Sequence, residues 1–196
     1  IAMSKDGTDL VIGAPGVDNG SQADAGAVYF YKWNADGSTN TYTLQQTLNA
    51  PDSQTNMQFG SELDIDNAGT RVVIGSANMN NSREMKFDSG ETTFDLQDTT
   101  IVDINVGSGA AYTATKYNST FVIDDRLVST GVTANDDFGK GVFVNDYSLY
   151  VGSPANENNA GLTDDGSVYA YDLKKLGEYA WNKIASESTL IDITKV

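Results

Sequence analysis

The chain has 196 residues with 12 Lys plus Arg against 27 Asp plus Glu, a formal net charge of −15, so a nucleic-acid backbone or an anionic membrane surface is repelled rather than bound. It contains neither Cys nor His, which removes disulfides, thiol nucleophiles, thiolate metal sites, the commonest general base and the commonest transition-metal ligand. A hydrophobic content of 39% with 19 glycines among abundant Asn, Asp, Ser and Thr implies a globular chain with many turns, an all-β signature.

Ile1 is not an initiator and the first residues read as the middle of a strand, so the chain is expected to be an excised or processed part of a longer polypeptide. No charged, apolar, small-residue signal pattern opens it. No stretch approaches the ~20 apolar residues of a membrane span, and membrane insertion is not expected.

The first element pair sets a phrase that recurs. Leu10-Val11-Ile12-Gly13-Ala14-Pro15 is an apolar strand closed by a glycine and two small residues, and a loop leads from it to the aromatic strand Gly26-Ala27-Val28-Tyr29-Phe30-Tyr31. Before it, Ile1 and Met3 alternate as a half-buried strand, joined to the second by the hairpin signal Lys5-Asp6-Gly7-Thr8. Tyr42, Leu44 and Leu48 supply a fourth strand. The first unit spans residues 1–58.

The second unit spans 59–137 and opens on Phe59-Gly60, a large ring followed by a residue without a side chain, which suits an anchor at a tight strand entrance. Leu63 and Ile65, the turn Asn67-Ala68-Gly69-Thr70, and Val72-Val73-Ile74-Gly75-Ser76-Ala77 repeat the first two strands, and Gly109-Ala110-Ala111-Tyr112 repeats the third. Gly75 and Gly109 are farther apart than Gly13 and Gly26, which places an insert at 81–105. Its runs Thr93-Phe94-Asp95-Leu96 and Ile101-Val102-Asp103-Ile104 alternate in polarity and predict a β-hairpin standing off one face. Phe121, Ile123 and Leu127 form the fourth strand.

The third unit, 138–185, opens on Phe138-Gly139 and repeats the phrase as Leu149-Tyr150-Val151-Gly152-Ser153-Pro154 and Gly166-Ser167-Val168-Tyr169. Trp181 and Ile184 are predicted in its fourth strand, Asp172 to Tyr179 as a short helical turn, and 186–196 as an exit segment without a further Phe-Gly. Each unit is thus predicted as a four-stranded antiparallel meander, too small to bury both faces alone. Stacked around an axis, such sheets make a β-propeller of about three blades, incomplete or part of a longer one; a flat sandwich is the alternative.

The sequence Phe-Gly, then Asp-Gly-Thr-Asp-Leu-Val-Ile-Gly-Ala-Pro, then Gly-Ala-Val-Tyr resembles the FG-GAP repeat, the blade of integrin α-subunit propellers. On this resemblance Phe59, Gly60, Phe138, Gly139, Gly13, Ala14, Pro15, Gly75, Gly152, Pro154, Gly26, Gly109 and Gly166 are the residues that define the repeat. The acidic, Asn- and Thr-rich repeat also resembles propeller-bearing structural proteins of tailed bacteriophages. In the FG-GAP family some blades bind calcium between the first two strands, but the carry-over falls short here. The first copy offers only Asp6 and Asp9, the second has Asp64 and Asp66 but Arg71 where the last carboxylate should be, and the third has Ser148 there. A plain hairpin is the favoured reading over calcium, and no other cofactor is expected.

Asp18, Asn19 and Asp24, and Asn156, Glu157, Asp164 and Asp165, suit either a cation or sugar hydroxyls, or serve as solvated turn residues. Tyr29, Tyr31, Tyr169 and Tyr171 suit either an aromatic sugar platform or packing within the sheets. Carboxylate pairs are too common in so acidic a chain to nominate a glycosidase. The sequons at Asn19, Asn80 and Asn118 matter only in a eukaryotic secretory setting. The resulting expectation is a non-catalytic scaffold of an extracellular or virion assembly that contacts other protein subunits. The alternatives are an adhesion module for a cell-surface glycan or receptor, using the inter-strand loops after Gly16 and Ala155 and the 81–105 hairpin, and an ancillary domain of a larger hydrolase.

Overall fold

Turn chemistry decides where the strands begin. In Lys5-Asp6-Gly7-Thr8, Gly7 takes a φ of 72° and its N–H donates to the Ser4 carbonyl at 2.9 Å. The Asp6 carboxylate gathers the Thr8 N–H at 3.0 Å and the Ser4 hydroxyl at 2.7 Å. Asn118 and Ser119, at φ 48° and 72°, make a two-residue reversal of the primed kind that matches strand twist. A computed structural model describes residues 1–35, 40–82, 104–105, 107–128, 134–156, 166–173 and 189–191.

The chain is all-β and antiparallel. Among the described residues the first sheet runs β1 (Ala2–Met3), β2 (Asp9–Ala14), β3 (Ala27–Ala35), β4 (Asn40–Leu48), paired in chain order. The second holds β5 (Glu62–Ile65), β6 (Arg71–Ser76), β9 (Ala110–Tyr117) and β10 (Thr120–Leu127), again as a meander. Between β6 and β9, the short strands β7 (Asn81–Ser82) and β8 (Ile104–Asn105) pair antiparallel with Asn81 opposite Asn105. The ends of the predicted insert therefore close as a hairpin base, while Thr93 to Leu96 and Ile101 to Asp103 lie outside the described residues.

The third sheet is β11 (Gly141–Val144), β12 (Ser148–Ser153), β13 (Ser167–Asp172) and β14 (Thr189–Ile191). Here the expected boundary is corrected. Val28 pairs with Leu48, Ala111 with Leu127 and Val168 with Ile191, so the fourth strand falls at Ile191 rather than at Trp181 and Ile184, inside the predicted exit segment. The connection from β13 to β14 is simply longer than its counterparts, which the repeat spacing hides. Asp172 ends β13; residues 174–188, with Trp181, Ile184 and most of the predicted helical turn, lie outside the described residues.

Burial along the second strands shows how the sheets stack. In β2, Asp9 and Val11 are buried and Leu10 and Ile12 only half-buried; in β12, Leu149 and Val151 are buried between half-buried neighbours. In β6, Val72, Val73 and Ile74 are all 0% exposed. Side chains alternate faces along a strand, so the middle sheet is covered on both sides and the outer two on one. Val11, Val28 and Phe30 of the first sheet pack with Val72, Ile74, Tyr112 and Ala114 of the second. Val73 and Ala111, on the opposite face, pack with Val144, Leu149, Val151 and Tyr169 of the third. The front of each sheet thus meets the back of the next.

The sheets also share a register shift. In the first it leaves Gln45 unpaired between Gln46 and Leu44, and in the second it leaves Asp124 unpaired between Asp125 and Ile123, the equivalent positions. Gln46 uses the resulting turn of the strand to reach the next sheet: its amide donates to the Phe121 carbonyl and accepts from the Phe121 N–H, both at 2.7 Å. Asp125, at the same position one sheet on, has its carboxyl pushed up from the ordinary value by burial and by neighbouring Asp124.

The donors around Asp6, led by the Thr8 N–H, hold its carboxyl down at about 2. A depressed carboxyl stabilises the folded turn above its unfolded value of about 3.9 and loses that contribution as pH falls through the folded value. A side-chain carboxyl NMR titration should therefore place the Asp6 midpoint near the bottom of the accessible range and move it upward in Ser4→Ala. A midpoint in the ordinary aspartate range would show that these donors are not engaged in solution.

Candidate functional site

The residues that recur between repeats converge on two seams. Asn56, Gln58 and Gly60 have φ of 62°, 55° and 87°, and Asn135, Asp137 and Gly139 have 64°, 56° and 95°. Left-handed residues at every second position make a strap that runs beside the preceding sheet. The Phe59 N–H donates to the Ala25 carbonyl at 2.9 Å and the Phe138 N–H to the Ser108 carbonyl at 3.0 Å. Gly60 and Gly139 then donate to the carbonyls of Gly75 and Gly152, at 3.0 and 2.9 Å, and so begin their own sheets.

Glycine is required on both sides of each seam. A Cβ on Gly26 would fall on the backbone of Phe59 and one on Gly13 on the Gly60 carbonyl; Gly109 and Gly75 stand in the same relation to Phe138 and Gly139. The close approach lets each ring turn edge-on to the tyrosine of its own third strand. Phe59 meets Tyr112 and Phe138 meets Tyr169, both at 5.2 Å between centroids. Such edge contacts add about 0.5–1.5 kcal/mol beyond area burial. The structure thus gathers Gly13, Gly26, Phe59 and Gly60 at one seam and Gly75, Gly109, Phe138 and Gly139 at the other. Gly152 and Gly166 are not crowded in this way: a Cβ on them would meet Gly141 and Pro154, and Gly152 takes part in the second seam only through its carbonyl, which accepts the Gly139 N–H.

Ala14, Pro15 and Pro154 lie one turn further on. Val17 donates to the Ala14 carbonyl, Met79 to Ser76 and Asn156 to Ser153, closing four-residue turns that have Pro15, Ala77 and Pro154 second. The carbonyls of Val17, Met79 and Asn156 then accept the N–H groups of Gly26, Gly109 and Gly166 at 2.8, 3.0 and 3.1 Å. All three loops share this neck.

Beneath the neck, the second and third repeats differ in chemistry. Ser76 donates to the Met57 carbonyl at 2.6 Å and Ser153 to the Asp136 carbonyl at 2.7 Å, so the tie is the same. Around it the second repeat places Met57, Met79 and Ala110, whereas the third places Asp136, Asn156 and Ser167, all buried. The Asn156 amide donates to Asp136 at 3.1 Å and its carbonyl accepts from Ser167 at 3.0 Å. Asn156, read from the sequence as a cation or sugar ligand or a solvated turn residue, is thus buried and bonded to protein groups, while Asp136 and Ser167 carried no signal in single positions.

The carboxylates considered for calcium are engaged by protein donors. Asp9 sits between Lys116, at 2.7 Å, and Lys32, at 3.0 Å, and ties the first sheet to the second. Asp64 accepts the Val144 N–H at 2.9 Å across the second seam, and Asp66 accepts the N–H groups of Thr70 and Arg71 at 2.7 and 3.1 Å. In the first loop, Asp18 accepts the Asp24 N–H at 3.0 Å and Asn19 donates to Ser53 at 2.7 Å. Glu157, Asp164 and Asp165 lie outside the described residues. Among the described residues no three metal-ligating side chains come together.

The four tyrosines do not form one platform. Tyr169 and Tyr171 lie on the inner face of the third sheet, where burial drives the Tyr171 phenol well above its ordinary value. Tyr29 and Tyr31 are half-buried in the first sheet, across from Ile12 and Leu10. Comparison with models of protein families and with curated proteins finds no match.

Gly75→Ala places a methyl on the Gly139 carbonyl, and denaturant unfolding should show a loss of about 3 kcal/mol or more. Gly141→Ala, where a Cβ meets nothing within 4 Å, is the control and should stay within about 1 kcal/mol. Equal midpoints would mean that the seam is not closed in solution. In the buried polar group, Asn156→Met removes the hydrogen bonds it makes to Asp136 and Ser167 and should cost about 1–3 kcal/mol. The triple variant D136M/N156M/S167A, which rebuilds the second repeat's chemistry, should recover most of that loss.

Proposed function

We propose that the chain is a non-catalytic scaffold and interaction module: three blades of an FG-GAP-type propeller within a larger extracellular or virion assembly, contacting other protein subunits. One observation carries the reading. Phe59-Gly60 and Phe138-Gly139 each bind the glycine pair of the sheet before them, so the residues shared between repeats serve to add one sheet to the next. An architecture of this kind is extended by repetition and varied at its loops, which suits a protein that presents surfaces.

A second reading, adhesion to a surface glycan or receptor, is favoured by the insert. Asn81–Ser82 and Ile104–Asn105 pair antiparallel, so the two ends of the insert meet at one point. A module that varies its contacts would put them there.

Two measurements test the pair of readings. Light scattering on the protein from its natural source should show a particle much heavier than the 20.9 kDa chain, whereas a free monomer would sink the scaffold reading. Replacing 83–103 by a two-residue Asn-Gly turn should leave both the fold and that particle intact. Loss of glycan or cell binding with assembly preserved would transfer the function to adhesion.

A further inference from the structure

We propose that the side chains of Lys116 and Asp9 condense to an isopeptide bond, which locks the second sheet to the first covalently. Among the ion pairs of the described residues, theirs is the one in which both side chains are mostly out of water, 20% exposed for Lys116 and 11% for Asp9. The ammonium nitrogen lies 2.7 Å from Oδ1 of the carboxylate, and the two residues stand 107 positions apart in the chain. A chain without Cys cannot join distant strands by a disulfide, and this pair offers the other covalent route.

Both groups are held in place by their surroundings. The Asp9 N–H donates to the Ser4 hydroxyl at 3.0 Å and its carbonyl accepts the Ser4 N–H at 2.9 Å, while the Lys116 N–H donates to the Thr70 carbonyl at 2.8 Å. The Lys116 ammonium lies 5.1 Å from the centroid of the Phe121 ring, which is itself stacked on Phe30 at 4.1 Å. Gly69 closes another side, since a Cβ there would come within 2.7 Å of Asp9 Oδ2. The pair is no general feature of the repeat. Lys116 and Leu173 are equivalent, donating to the carbonyls of Thr70 and Tyr147, so at the second seam the places of Asp9 and Lys116 are taken by Arg71 and Leu173. Sheets stack there without such a pair, and stacking alone does not account for it.

The step needs no co-reactant. Lys116 Nζ passes one proton to Asp9 Oδ1 along the 2.7 Å hydrogen bond, and the freed lone pair attacks the carboxyl carbon. The electron pair of the C=O bond moves to Oδ2, where the Lys32 ammonium at 3.0 Å and the Thr8 hydroxyl at 3.3 Å stabilise the developing charge. A second proton goes from Nζ to Oδ1, the bond from the carbon to Oδ1 breaks, and water leaves. The third proton stays on the amide nitrogen, and Oδ2 becomes the amide oxygen with Lys32 and Thr8 still donating to it. Ammonium plus carboxylate becomes amide plus water, with no change in net charge. Between free molecules in water the reverse reaction is favoured. Groups held in contact react instead with effective concentrations of about 10⁵–10⁸ M, and the product replaces two charges that are costly to keep out of water by a neutral amide.

The intact mass of the 196-residue chain, its strand content verified by circular dichroism and its mass followed until constant, should settle one water below that of its sequence. A digest should then yield a branched peptide joining Asp9 to Lys116. Lys116→Arg keeps a cation beside Asp9 but removes the amine, so this variant should fold and retain its full mass. Lys32→Gln should form the bond at least tenfold more slowly. A folded, unaltered chain that keeps its full mass overturns the proposal. A water loss that survives in Lys116→Arg overturns it as well, since it marks imide closure within the chain, as at Asp6-Gly7, rather than a bond between sheets. An unchanged rate in Lys32→Gln overturns the part given to Lys32.

Discussion

The structure depends on a backbone-to-backbone approach that only glycine permits. At each seam two strands bring a glycine to the same spot, and the carbonyls of an incoming Phe-Gly pair occupy the space that side chains would need. Everything else at the seam follows from that distance. The phenylalanine N–H reaches the previous sheet, the following glycine N–H reaches its own second strand, and the ring swings onto the tyrosine behind it. Moving the backbones apart by one methyl would weaken these contacts together, since all of them run from the same two residues. The apolar faces of the sheets supply most of the burial, but the glycine pairs decide at what separation they are buried.

Polar ties then fix the sheets laterally, and each uses different chemistry for the same task. Asp9 spans the first seam to Lys116, Asp64 spans the second to the Val144 N–H, and Gln46 pairs with both main-chain groups of Phe121. Gln46 can donate and accept at once, which an ionised carboxylate cannot. Asp125, its counterpart in the second sheet, carries a raised carboxyl instead. The same freedom appears under the loop necks, where Met57, Met79 and Ala110 fill by volume what Asp136, Asn156 and Ser167 fill by hydrogen bonding. Either solution is self-consistent; a mixture of the two leaves a buried polar group without its partner.

Much of the fold was legible because its determinants are local. Period-two alternation marks Leu63 and Ile65, the turn residues mark Gly7 and Gly69, and the glycines mark the ends of the second strands. The seam was legible only in part. Phe59-Gly60 announces a tight strand entrance, but that Gly13 and Gly26 receive it is a contact between residues more than thirty positions apart, and no local pattern encodes it. Lys116 as the partner of Asp9 is farther still, 107 residues along the chain, so Asp9 reads in sequence as a spare carboxylate. The fourth strand of the third sheet was misplaced for a different reason. Repeat arithmetic assumes equal connections, and β3 reaches β4 between Ala35 and Asn40 whereas β13 reaches β14 between Asp172 and Thr189.

The loop necks explain why the second repeat could accept an insert without losing its place in the stack. In all three repeats the turn after the second strand closes on itself, and its last carbonyl accepts the N–H of the glycine that opens the third strand. That hydrogen bond pins the two ends of the loop together regardless of how many residues lie between them. From Met79 to Gly109 the chain leaves and returns to the same geometry that Val17 and Gly26 have with a far shorter path, and Gly75 and Gly109 still receive Phe138 and Gly139. Closing a longer loop costs only about 0.6 kcal/mol for each doubling of its length. The neck therefore separates two kinds of sequence: residues below it are constrained by the seams, and residues above it are free to vary in length and chemistry.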